Sequence, residues 1–295
     1  MVSAPCWICG KQVVRFFKGV GLEVKVCRGC GHLTADHPVL QEPPKEYHLV
    51  YEQTQFLTSL RSTRRRQAAD ILARLQRHGA DRNILDYGCG RGSFLDVCLA
   101  TGRRDVAGAD TSALAVSELR AREIPAAQLP EYVELVSDLA DLPFQPTTVA
   151  FLDVIEHLSG NLVGVFKSWL SRLTPATRYI VLKVPVQDGL LFRMARLLRR
   201  IGLDGPMRQL FQVGTWPPHF HYFCDRSFTA FLGRLQLDIV ESWVDPDFEP
   251  DQLRARISSL SLVPNKIVRL VASWLYARAM RTGRADSRIV VLRRP

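Results

Sequence analysis

The sequence lacks a long apolar segment. No run of about 18 uninterrupted apolar residues, the length that a transmembrane helix needs, occurs in the 295 residues. The first residues contain no basic segment followed by an apolar stretch, so no secretory signal is expected. Apolar residues make up 47% of the chain and charged residues 23%, a globular composition that excludes disordered and fibrous proteins. These properties predict a cytoplasmic, globular protein.

Acidic residues are also in short supply. Asp and Glu total 29 against 39 Lys and Arg, which gives a formal net charge of +10. This balance favours acidic partners such as phosphates, nucleotide-linked substrates, nucleic acid or an anionic membrane surface. Many of the arginines lie on segments with helical spacing, where a solvated helix face explains them equally well. The charge therefore restricts the partners without selecting one.

Two common nucleotide-binding loops are missing. No Gly-x-x-x-x-Gly-Lys-Ser/Thr segment is present, which disfavours a P-loop NTPase. The Gly-x-Gly-x-x-Gly spacing of dinucleotide-binding dehydrogenases is missing as well.

Four of the seven cysteines form a pattern near the N-terminus. Two Cys-x-x-Cys pairs are separated by a gap of seventeen residues and consist of Cys6, Cys9, Cys27 and Cys30. Two such turns supply the four thiolates of a tetrahedral zinc site, and a site closed by four protein ligands is structural rather than catalytic. Two short strands, at residues 13–17 and 22–26, are predicted between the pairs. A zinc ribbon is predicted over residues 1–34, with a redox dithiol as the alternative.

The ribbon is followed by a segment with little regular pattern. Pro38, Pro43 and Pro44 disrupt residues 35–60, which are interpreted as a linker. Helical spacing of apolar residues then extends over residues 61–78 and ends at Gly79.

From Gly79 onward, short apolar runs alternate with helical segments. Alternation of this kind predicts an α/β fold with a parallel sheet that is covered by helices on both faces. The predicted strands are residues 83–86, 106–109, 132–136, 148–152, 178–184, 237–244 and 288–292. Helical insertions are predicted near 186–225 and 246–286.

A glycine-rich loop follows the first of these strands. Its pattern consists of Asp86, Gly88, Gly90 and Gly92. Glycines let the backbone turn sharply and approach a ligand at the carboxyl end of a strand. Asp110 ends the second strand, where a carboxylate can accept hydrogen bonds from both hydroxyls of a ribose. Asp138 follows the predicted third strand and could contact an adenine amino group.

Three motifs make residues 60–245 resemble the class I S-adenosylmethionine-dependent methyltransferases. They are Ile84-Leu85-Asp86-Tyr87-Gly88-Cys89-Gly90-Arg91-Gly92, Gly108-Ala109-Asp110-Thr111-Ser112 and Phe151-Leu152-Asp153-Val154-Ile155-Glu156-His157-Leu158. The resemblance implies a Rossmann-like seven-stranded sheet in a domain spanning residues 61–295. It also implies that S-adenosylmethionine is the cofactor. The implied cofactor-binding residues are Asp86, Tyr87, Gly88, Cys89, Gly90, Gly92, Asp110, Thr111, Asp138, Leu139 and Asp153.

Acceptor chemistry is expected above the fourth and fifth strands. Methyl transfer requires alignment of the acceptor and, for an oxygen nucleophile, removal of a proton. The candidate catalytic residues are Glu156, His157, His219 and His221, with a histidine as the general base. Some methyltransferases that resemble this pattern bind a divalent metal, for which Asp153, Glu156, His157 and one later histidine are candidate ligands. The alternative is that Glu156 and His157 only stabilise the start of a helix.

Three functions are consistent with these features. The leading hypothesis is methylation of a small-molecule acceptor, such as a sugar, a glycan or a natural-product precursor. The first alternative is an RNA methyltransferase that uses the ribbon and the basic surface, although no Asn-Pro-Pro-Tyr type motif is present. The second alternative is a non-catalytic binding module. Basic amphipathic segments at 190–200 and 263–281 suit either an anionic membrane surface or packing against the protein's own core.

Overall fold

A computed structural model of the protein describes residues 5–38, 54–129, 142–247, 250 and 264–295. The strands in chain order are β1 (Val13–Gly19), β2 (Leu22–Cys27), β3 (Leu33–Asp36), β4 (Ile84–Tyr87), β5 (Val106–Asp110), β6 (Ala126–Gln128), β7 (Thr148–Leu152), β8 (Tyr179–Pro185), β9 (His221–Tyr222), β10 (Asp238–Asp245) and β11 (Ser287–Arg293). The helices are α1 (Thr54–Arg77), α2 (Ser93–Ala100), α3 (Ala113–Ala121), α4 (Leu162–Arg172), α5 (Leu190–Arg200), α6 (Gly205–Leu210), α7 (Asp225–Leu235) and α8 (Asn265–Thr282).

Seven strands form one mixed sheet in the order β10-β11-β8-β7-β4-β5-β6. The strands from β8 to β6 pair in parallel, whereas β11 runs antiparallel between β8 and β10. Every residue of β4 and β5 is buried, as expected for central strands that are covered on both faces. Apolar clusters lie on both faces of the sheet. The predicted Rossmann-like class I methyltransferase fold is confirmed.

The third strand of this domain differs from the prediction. The edge position beside β5 is occupied by β6, Ala126–Gln128, which pairs with Gly108–Asp110. The predicted strand at 132–136 lies outside the described residues. Ala126 and Ala127 lie between two prolines, and alanine has a low β-strand propensity compared with β-branched and aromatic residues. The sequence pattern therefore favours a strand at the later, more apolar run.

The N-terminal segment forms a second sheet in the order β1-β2-β3-β9. Its fourth strand belongs to the later part of the chain, because Leu33 and Thr34 of β3 pair with Tyr222 and His221 of β9. The small core of this sheet includes Phe17 and Leu22 and continues into α5 and α6 through Phe192 and Phe211. The ribbon is therefore built into the methyltransferase domain.

Two element boundaries differ from the expected division into residues 1–34 and 35–60. The ribbon sheet extends to Asp36, because β3 has a strand partner on each side. Helix α1 begins at Thr54, seven residues earlier than predicted. The insertion near 186–225 contains α5, α6 and β9, and the one near 246–286 contains α8.

Helix α1 is attached to the far edge of the large sheet. Arg66 donates two hydrogen bonds to the carboxylate of Asp245, at 2.5 and 2.9 Å, and Gln67 donates a third at 2.6 Å. Asp245 ends β10 and is buried, so these bonds hold the helix across the carboxyl edge of the sheet.

None of the described helices combines the length and the apolar character that a membrane-spanning segment needs.

Candidate active site and zinc cluster

A cavity of about 490 Å³ lies at the carboxyl ends of the central strands. The strand ends contribute Asp86, Asp110, Leu152, Asp153 and Lys183, and the glycine loop contributes Gly88, Cys89 and Gly90. Helix α1 covers one side with Arg61, Arg64, Arg65, Gln67, Ala68 and Ile71. Ligands of open α/β sheets bind at this edge, so the cavity is the candidate active site.

The glycine loop has a backbone conformation that other residues adopt only with strain. Gly88 has φ of 78°, and a Cβ atom there would lie 2.5 Å from Cγ2 of Val154. Gly90 has φ of 50°, and nothing lies within 4 Å of the position of its missing Cβ. The loop therefore exposes its backbone to the cavity, as close approach of a ligand requires.

Two buried carboxyl groups lie beside this loop. Asp110 accepts hydrogen bonds from the backbone N–H of Gly90, at 2.7 Å, and of Ser112, at 2.9 Å. Both bonds fix the carboxylate at the end of β5, where it lines the cavity. Burial and the nearby charge of Asp110 raise the pKa of Asp86 to about 7, an effect that the Arg64 guanidinium partly opposes.

A buried ion cluster forms the floor of the cavity beyond β7 and β8. The Nζ atom of Lys183 lies 2.6 and 2.7 Å from the two carboxylate oxygens of Asp153 and 2.7 Å from Asp247 Oδ1. Burial alone would lower the pKa of Lys183, but the two carboxylates outweigh it and raise the pKa above its usual range. Asp153 has φ of 59°, an uncommon conformation for a residue other than glycine. The lysine therefore remains charged and fixes Asp153 in this strained conformation.

His157 lines the same cavity. Its Nδ1 donates a hydrogen bond of 3.0 Å to the backbone oxygen of Pro218, which leaves Nε2 as the acceptor nitrogen of the ring. Burial lowers the pKa of His157, and the bond to Pro218 and the charge of Asp153 oppose this only in part. The imidazole is therefore neutral at pH 7, the state that accepts a proton.

Glu156 and His219 lie next to His157. One ligand atom from each of these three residues lies within 4.8 Å of the others, a grouping that could hold a metal ion. However, Nε2 of His219 accepts a bond of 2.9 Å from Gln212, and its Nδ1 donates one of 3.3 Å to the Tyr222 hydroxyl. Burial and the charge of Asp153 raise the pKa of Glu156 well above its usual range, which favours a protonated carboxyl group. Asp153, which was also a candidate metal ligand, already forms an ion pair with Lys183.

Other predicted site residues lie elsewhere. His221 is buried between Nε2 of His32, at 3.0 Å, and the backbone oxygen of Leu158, at 2.8 Å. This position joins the ribbon to the large α/β domain, and His221 is not among the described residues that line the cavity. The ring of Tyr87 packs against Phe151 and Trp169 in the core.

Four further predicted residues complete this comparison. Gly92 precedes α2 as its N-cap residue, and Thr111 lies between Asp110 and the start of α3. Neither is among the described residues that line the cavity. Asp138 and Leu139, expected at the adenine, lie outside the described residues.

Sequence reasoning missed the basic residues of the cavity. Lys183 is the one charged residue of an apolar strand, and sequence reasoning did not assign it to the site. A lysine at a buried strand position does indicate a functional or paired residue, because lysine is almost never buried without a partner. Arg61, Arg64 and Arg65 were interpreted as part of a surface helix, because nothing local shows that α1 crosses the sheet edge. Long-range contacts determine that position, namely the bonds to Asp245 and the burial of Ala68 and Ile71 in the core.

The four N-terminal cysteines converge as predicted. Their sulfur atoms all lie within 4.8 Å of one another, with 3.7 Å between Cys6 and Cys30 and 3.3 Å between Cys9 and Cys27. A disulfide would require about 2 Å, whereas tetrahedral Zn–S bonds of about 2.3 Å place sulfur atoms about 3.8 Å apart. The backbone N–H groups of Gly29 and Cys30 point to the sulfur of Cys27. These residues fit a structural zinc ion, which would cross-link the two turns.

Comparison with known proteins identifies the family. Residues 60–242, more than half of the chain, match the model of a family described as a methyltransferase domain. None of the curated proteins matches the sequence. Magnesium protoporphyrin IX methyltransferase from Synechocystis PCC 6803, solved with bound SAH, is 18% identical, with a TM-score of 0.51 over 84% of this chain and 93% of that one.

A second solved structure is similar over the same share of this chain. It is a SAM-dependent methyltransferase from Archaeoglobus fulgidus, 17% identical, with a TM-score of 0.43 over 84% of this chain and 100% of that one. The family match covers the glycine loop, Asp110 and His157, the residues around which the cavity is built. The chain therefore belongs to the methyltransferase-domain family and is an S-adenosylmethionine-dependent methyltransferase.

Proposed function

We propose that the protein transfers a methyl group to a hydroxyl of a small-molecule acceptor, with His157 as the general base. The acceptor class is a sugar, a glycan or a natural-product precursor. The observation that carries this proposal is the neutral imidazole of His157, whose Nδ1 is fixed by Pro218 while the ring lines the cavity of the glycine loop and Asp110. A fixed, neutral imidazole at this edge is suited to accept a proton from a nucleophile.

The proposed reaction is an in-line displacement. The sulfonium of S-adenosylmethionine supplies the methyl group, and the acceptor oxygen forms a bond to that carbon as the carbon–sulfur bond breaks. The hydroxyl proton passes to Nε2 of His157, and the sulfur leaves as a neutral thioether. The protein contributes alignment and proton removal, the latter worth about 10²- to 10⁴-fold in rate.

The surrounding charges support specific roles for three groups of residues. Asp110 is fixed by Gly90 and Ser112 and is assigned to the ribose hydroxyls. Arg61, Arg64 and Arg65 extend from α1 into the cavity and are assigned to anionic groups, namely the cofactor carboxylate or a phosphate on the acceptor. Lys183 is assigned a positioning role, because it contacts Asp153 and Asp247.

The proposal does not require a catalytic metal. The hydrogen bonds of His219 to Gln212 and Tyr222, and the ion pair of Asp153 with Lys183, occupy two of the donors that a divalent ion would need. We expect that added Mg²⁺ or Mn²⁺ leaves the rate of methyl transfer unchanged. Stimulation by either ion would instead assign Glu156, His157 and His219 to a metal site.

The function is tested with radiolabelled S-adenosylmethionine. Calorimetry first measures binding of the cofactor; its failure to bind would overturn the proposal and support a non-catalytic module. The protein is then incubated with the labelled cofactor and either a panel of sugar nucleotides and glycans or a preparation of RNA. Label in a small acceptor supports the proposal. Label in RNA, with an affinity that falls steeply with salt, would overturn the acceptor class.

A further inference from the structure

Helix α8 carries two apolar stripes, of which the described structure buries one. Val268, Ala272, Leu275 and Ala279 recur at helical spacing, and each is at most 3% exposed. A second stripe, about a third of a turn around the helix, consists of Ile267, Leu270, Val271 and Trp274. These four side chains are 53%, 74%, 46% and 59% exposed. Packing against the protein's own core therefore explains only the first stripe.

Helix α5 is divided in the same way. Its buried residues Phe192 and Ala195 pack into the core of the ribbon. Its other side presents Met194, Leu197 and, just beyond the helix, Ile201, which are 38%, 61% and 73% exposed. Because the ribbon already covers the inner face, these outer residues have no packing role in the part of the chain that the structure describes.

The two helices are joined. Leu190 and Leu191 at the start of α5 pack against Ala272 and Leu275 of α8. The backbone N–H of Leu190 donates a hydrogen bond to the backbone oxygen of Arg284, at 3.1 Å. The backbone N–H of Leu191 donates one to the carboxylate of Asp286, at 2.9 Å. We use the name α5–α8 surface for the exposed residues Arg193, Met194, Arg196, Leu197, Arg200, Ile201, Ile267, Leu270, Val271, Trp274, Arg278 and Arg281.

The charge of this region has one sign. Residues 189–203 contain four arginines and no acidic residue, and residues 265–285 contain four arginines, one lysine and no acidic residue. Arg193, Arg196 and Arg200 surround Met194 and Leu197. The guanidinium of Arg278 lies 5.7 Å from the ring centre of Trp274. Cations therefore lie directly beside the exposed apolar side chains.

We propose that the α5–α8 surface binds the headgroup region of an anionic phospholipid bilayer. Exposed Leu, Ile and Trp side chains gain free energy by entering the interface, and neighbouring arginines attract anionic headgroups. Aliphatic side chains such as Ile267 and Leu270 gain nothing from a phosphodiester backbone, so a nucleic acid would not explain them. The occupant that matches both the apolar and the cationic components is a lipid surface.

The position of this surface relates it to the active site. Ser287, at the start of β11, pairs with Pro185 at the carboxyl end of β8, so α8 ends at the sheet edge that contains the cavity. Binding to a bilayer would place that edge near acceptors held in the membrane. The binding itself does not depend on the proposed methyl transfer.

The test is sedimentation of the full chain with vesicles of phosphatidylcholine alone or mixed with phosphatidylglycerol. We expect binding only to the anionic vesicles, with a partition that falls as salt rises. The Leu270→Ser/Trp274→Ser variant should bind at least about tenfold more weakly, because two large apolar side chains no longer enter the interface. Ile239→Ser, which alters a side chain 52% exposed on β10, is the matched control and should bind normally.

The contribution of the arginines and the identity of the bound partner are tested separately. Arg278→Gln/Arg281→Gln should weaken binding, whereas Arg104→Gln, an exposed residue outside this surface, should not. Unchanged melting temperature and cofactor affinity establish that the variants remain folded. Equal binding to neutral and anionic vesicles, or no binding to either, overturns the proposal. A dimer that the Leu270→Ser/Trp274→Ser variant dissociates would likewise overturn it and identify a second copy as the occupant.

Discussion

At the scale of single residues, the protonation state of His157 determines what the site can do. A histidine with an ordinary pKa would be partly charged near neutrality, and a charged ring cannot accept a proton. Burial lowers this pKa, and the bond to Pro218 fixes which nitrogen carries the hydrogen. The residue is therefore ready to act as a base without a change of conformation.

Replacement of His157 by Asn should remove the base and leave the cofactor site intact. We expect methyl transfer to fall by about 10²- to 10⁴-fold, the usual contribution of general-base catalysis. Calorimetric affinity for S-adenosylmethionine should stay within a factor of two or so of the native value, since its binding groups are unchanged. A variant with normal turnover would show that another group takes the proton.

The pH dependence of native activity follows from the same residue. Because the folded-state pKa lies below the usual value of about 6.5, the neutral base persists as pH falls through that value. The acid limb that His157 contributes to kcat/KM, which reports groups of the free protein, should therefore appear below about pH 6.5. The stability that burial of a neutral His157 confers is present above the unfolded-state pKa and is lost as pH falls through the folded-state pKa. Asp86, whose pKa is raised to about 7, contributes a separate limb at higher pH. A limb below about pH 6.5 that persists in His157→Asn would contradict this assignment.

Asp110 supports a prediction about the cofactor alone. If Asp110 binds the ribose as proposed, Asp110→Ala removes two charge-assisted hydrogen bonds to it, each worth about 1.5–3 kcal/mol. Affinity for S-adenosylmethionine should fall at least about tenfold in calorimetry. Asp105→Ala, at an exposed position just before the same strand, serves as control and should bind normally. If both variants bound equally well, the ribose site would lie elsewhere.

Lys183 should contribute mainly to stability and positioning. Lys183→Met leaves Asp153 and Asp247 next to each other without a compensating cation. Because both carboxylates are about a third exposed, the loss costs less than the value of about 3–5 kcal/mol for a fully buried pair. Thermal unfolding should shift down by about 5 °C. Lys167→Met, on the exposed side of α4, should melt like the native protein. An unshifted melting temperature would mean that water or another cation already satisfies the two carboxylates.

At the scale of elements, helix α1 forms one wall of the cavity through bonds that are made outside it. Arg66 and Gln67 attach the helix to Asp245, and Asp245 does not line the cavity. Arg61, Arg64 and Arg65 lie within one or two turns of this attachment, which supplements the packing of Ala68 and Ile71 in the core. Cofactor affinity is therefore expected to depend on a residue that does not touch the cofactor.

Asp245→Asn tests that dependence. The change weakens the charged hydrogen bonds to Arg66 and Gln67, worth about 1.5–3 kcal/mol each. We expect both a lower melting temperature and an affinity for S-adenosylmethionine reduced by about threefold or more. Asp238→Asn, at the other end of β10, is the matched control and should change neither property. Loss of stability with native affinity would show that α1 stays in position without this attachment.

Much of the fold could be predicted from the sequence, because its signals are local. The alternation of apolar runs and helices predicted the central strands β4, β5, β7 and β8 to within one or two residues. The paired cysteines predicted their own cluster, since ligand chemistry fixes their spacing. Strand β6 was missed because its alanines have little β propensity, and β9 because two residues carry no periodic signal.

The candidate site was less predictable than the fold. Gly88, Asp110 and His157 were found because they belong to motifs or strand ends, and they line the cavity as expected. Lys183, Asp247 and the arginines of α1 depend on contacts between residues that are far apart in the chain. His219 and His221 lie two residues apart, yet they face different surroundings, a difference that spacing alone does not show.

At the scale of the whole molecule, the ribbon contacts the loop that fixes His157, the proposed base. Strand β9 pairs with β3, and Val186 beyond β8 pairs with Phe223 just after β9. The segment that leads into β9 contains Pro218, which holds His157, and His219. We therefore expect a disturbance at the four-cysteine cluster to reach the candidate active site through the paired backbone of β3 and β9.

Metal content provides the test of this coupling. The native protein should contain about one zinc per chain, and Cys27→Ser should lose it. We expect the variant to melt at a lower temperature and to transfer methyl groups at least about tenfold more slowly, because the β9 segment loses its support. Cys98→Ala, at a buried cysteine remote from the cluster, should keep its zinc. Full activity in a zinc-free variant would separate the ribbon from catalysis.

The sharing of β9 between the two parts of the molecule also constrains how the protein can change over generations. Recombination that exchanged only the first 38 residues would have to preserve the pairing of Leu33 and Thr34 with β9. It would also have to preserve an imidazole at position 32, because His32 forms a hydrogen bond with His221. A foreign ribbon without these features would leave the strand edge open to water or to another chain. The ribbon and the catalytic domain are therefore expected to be inherited together, with compensating substitutions on the two sides of their common strand.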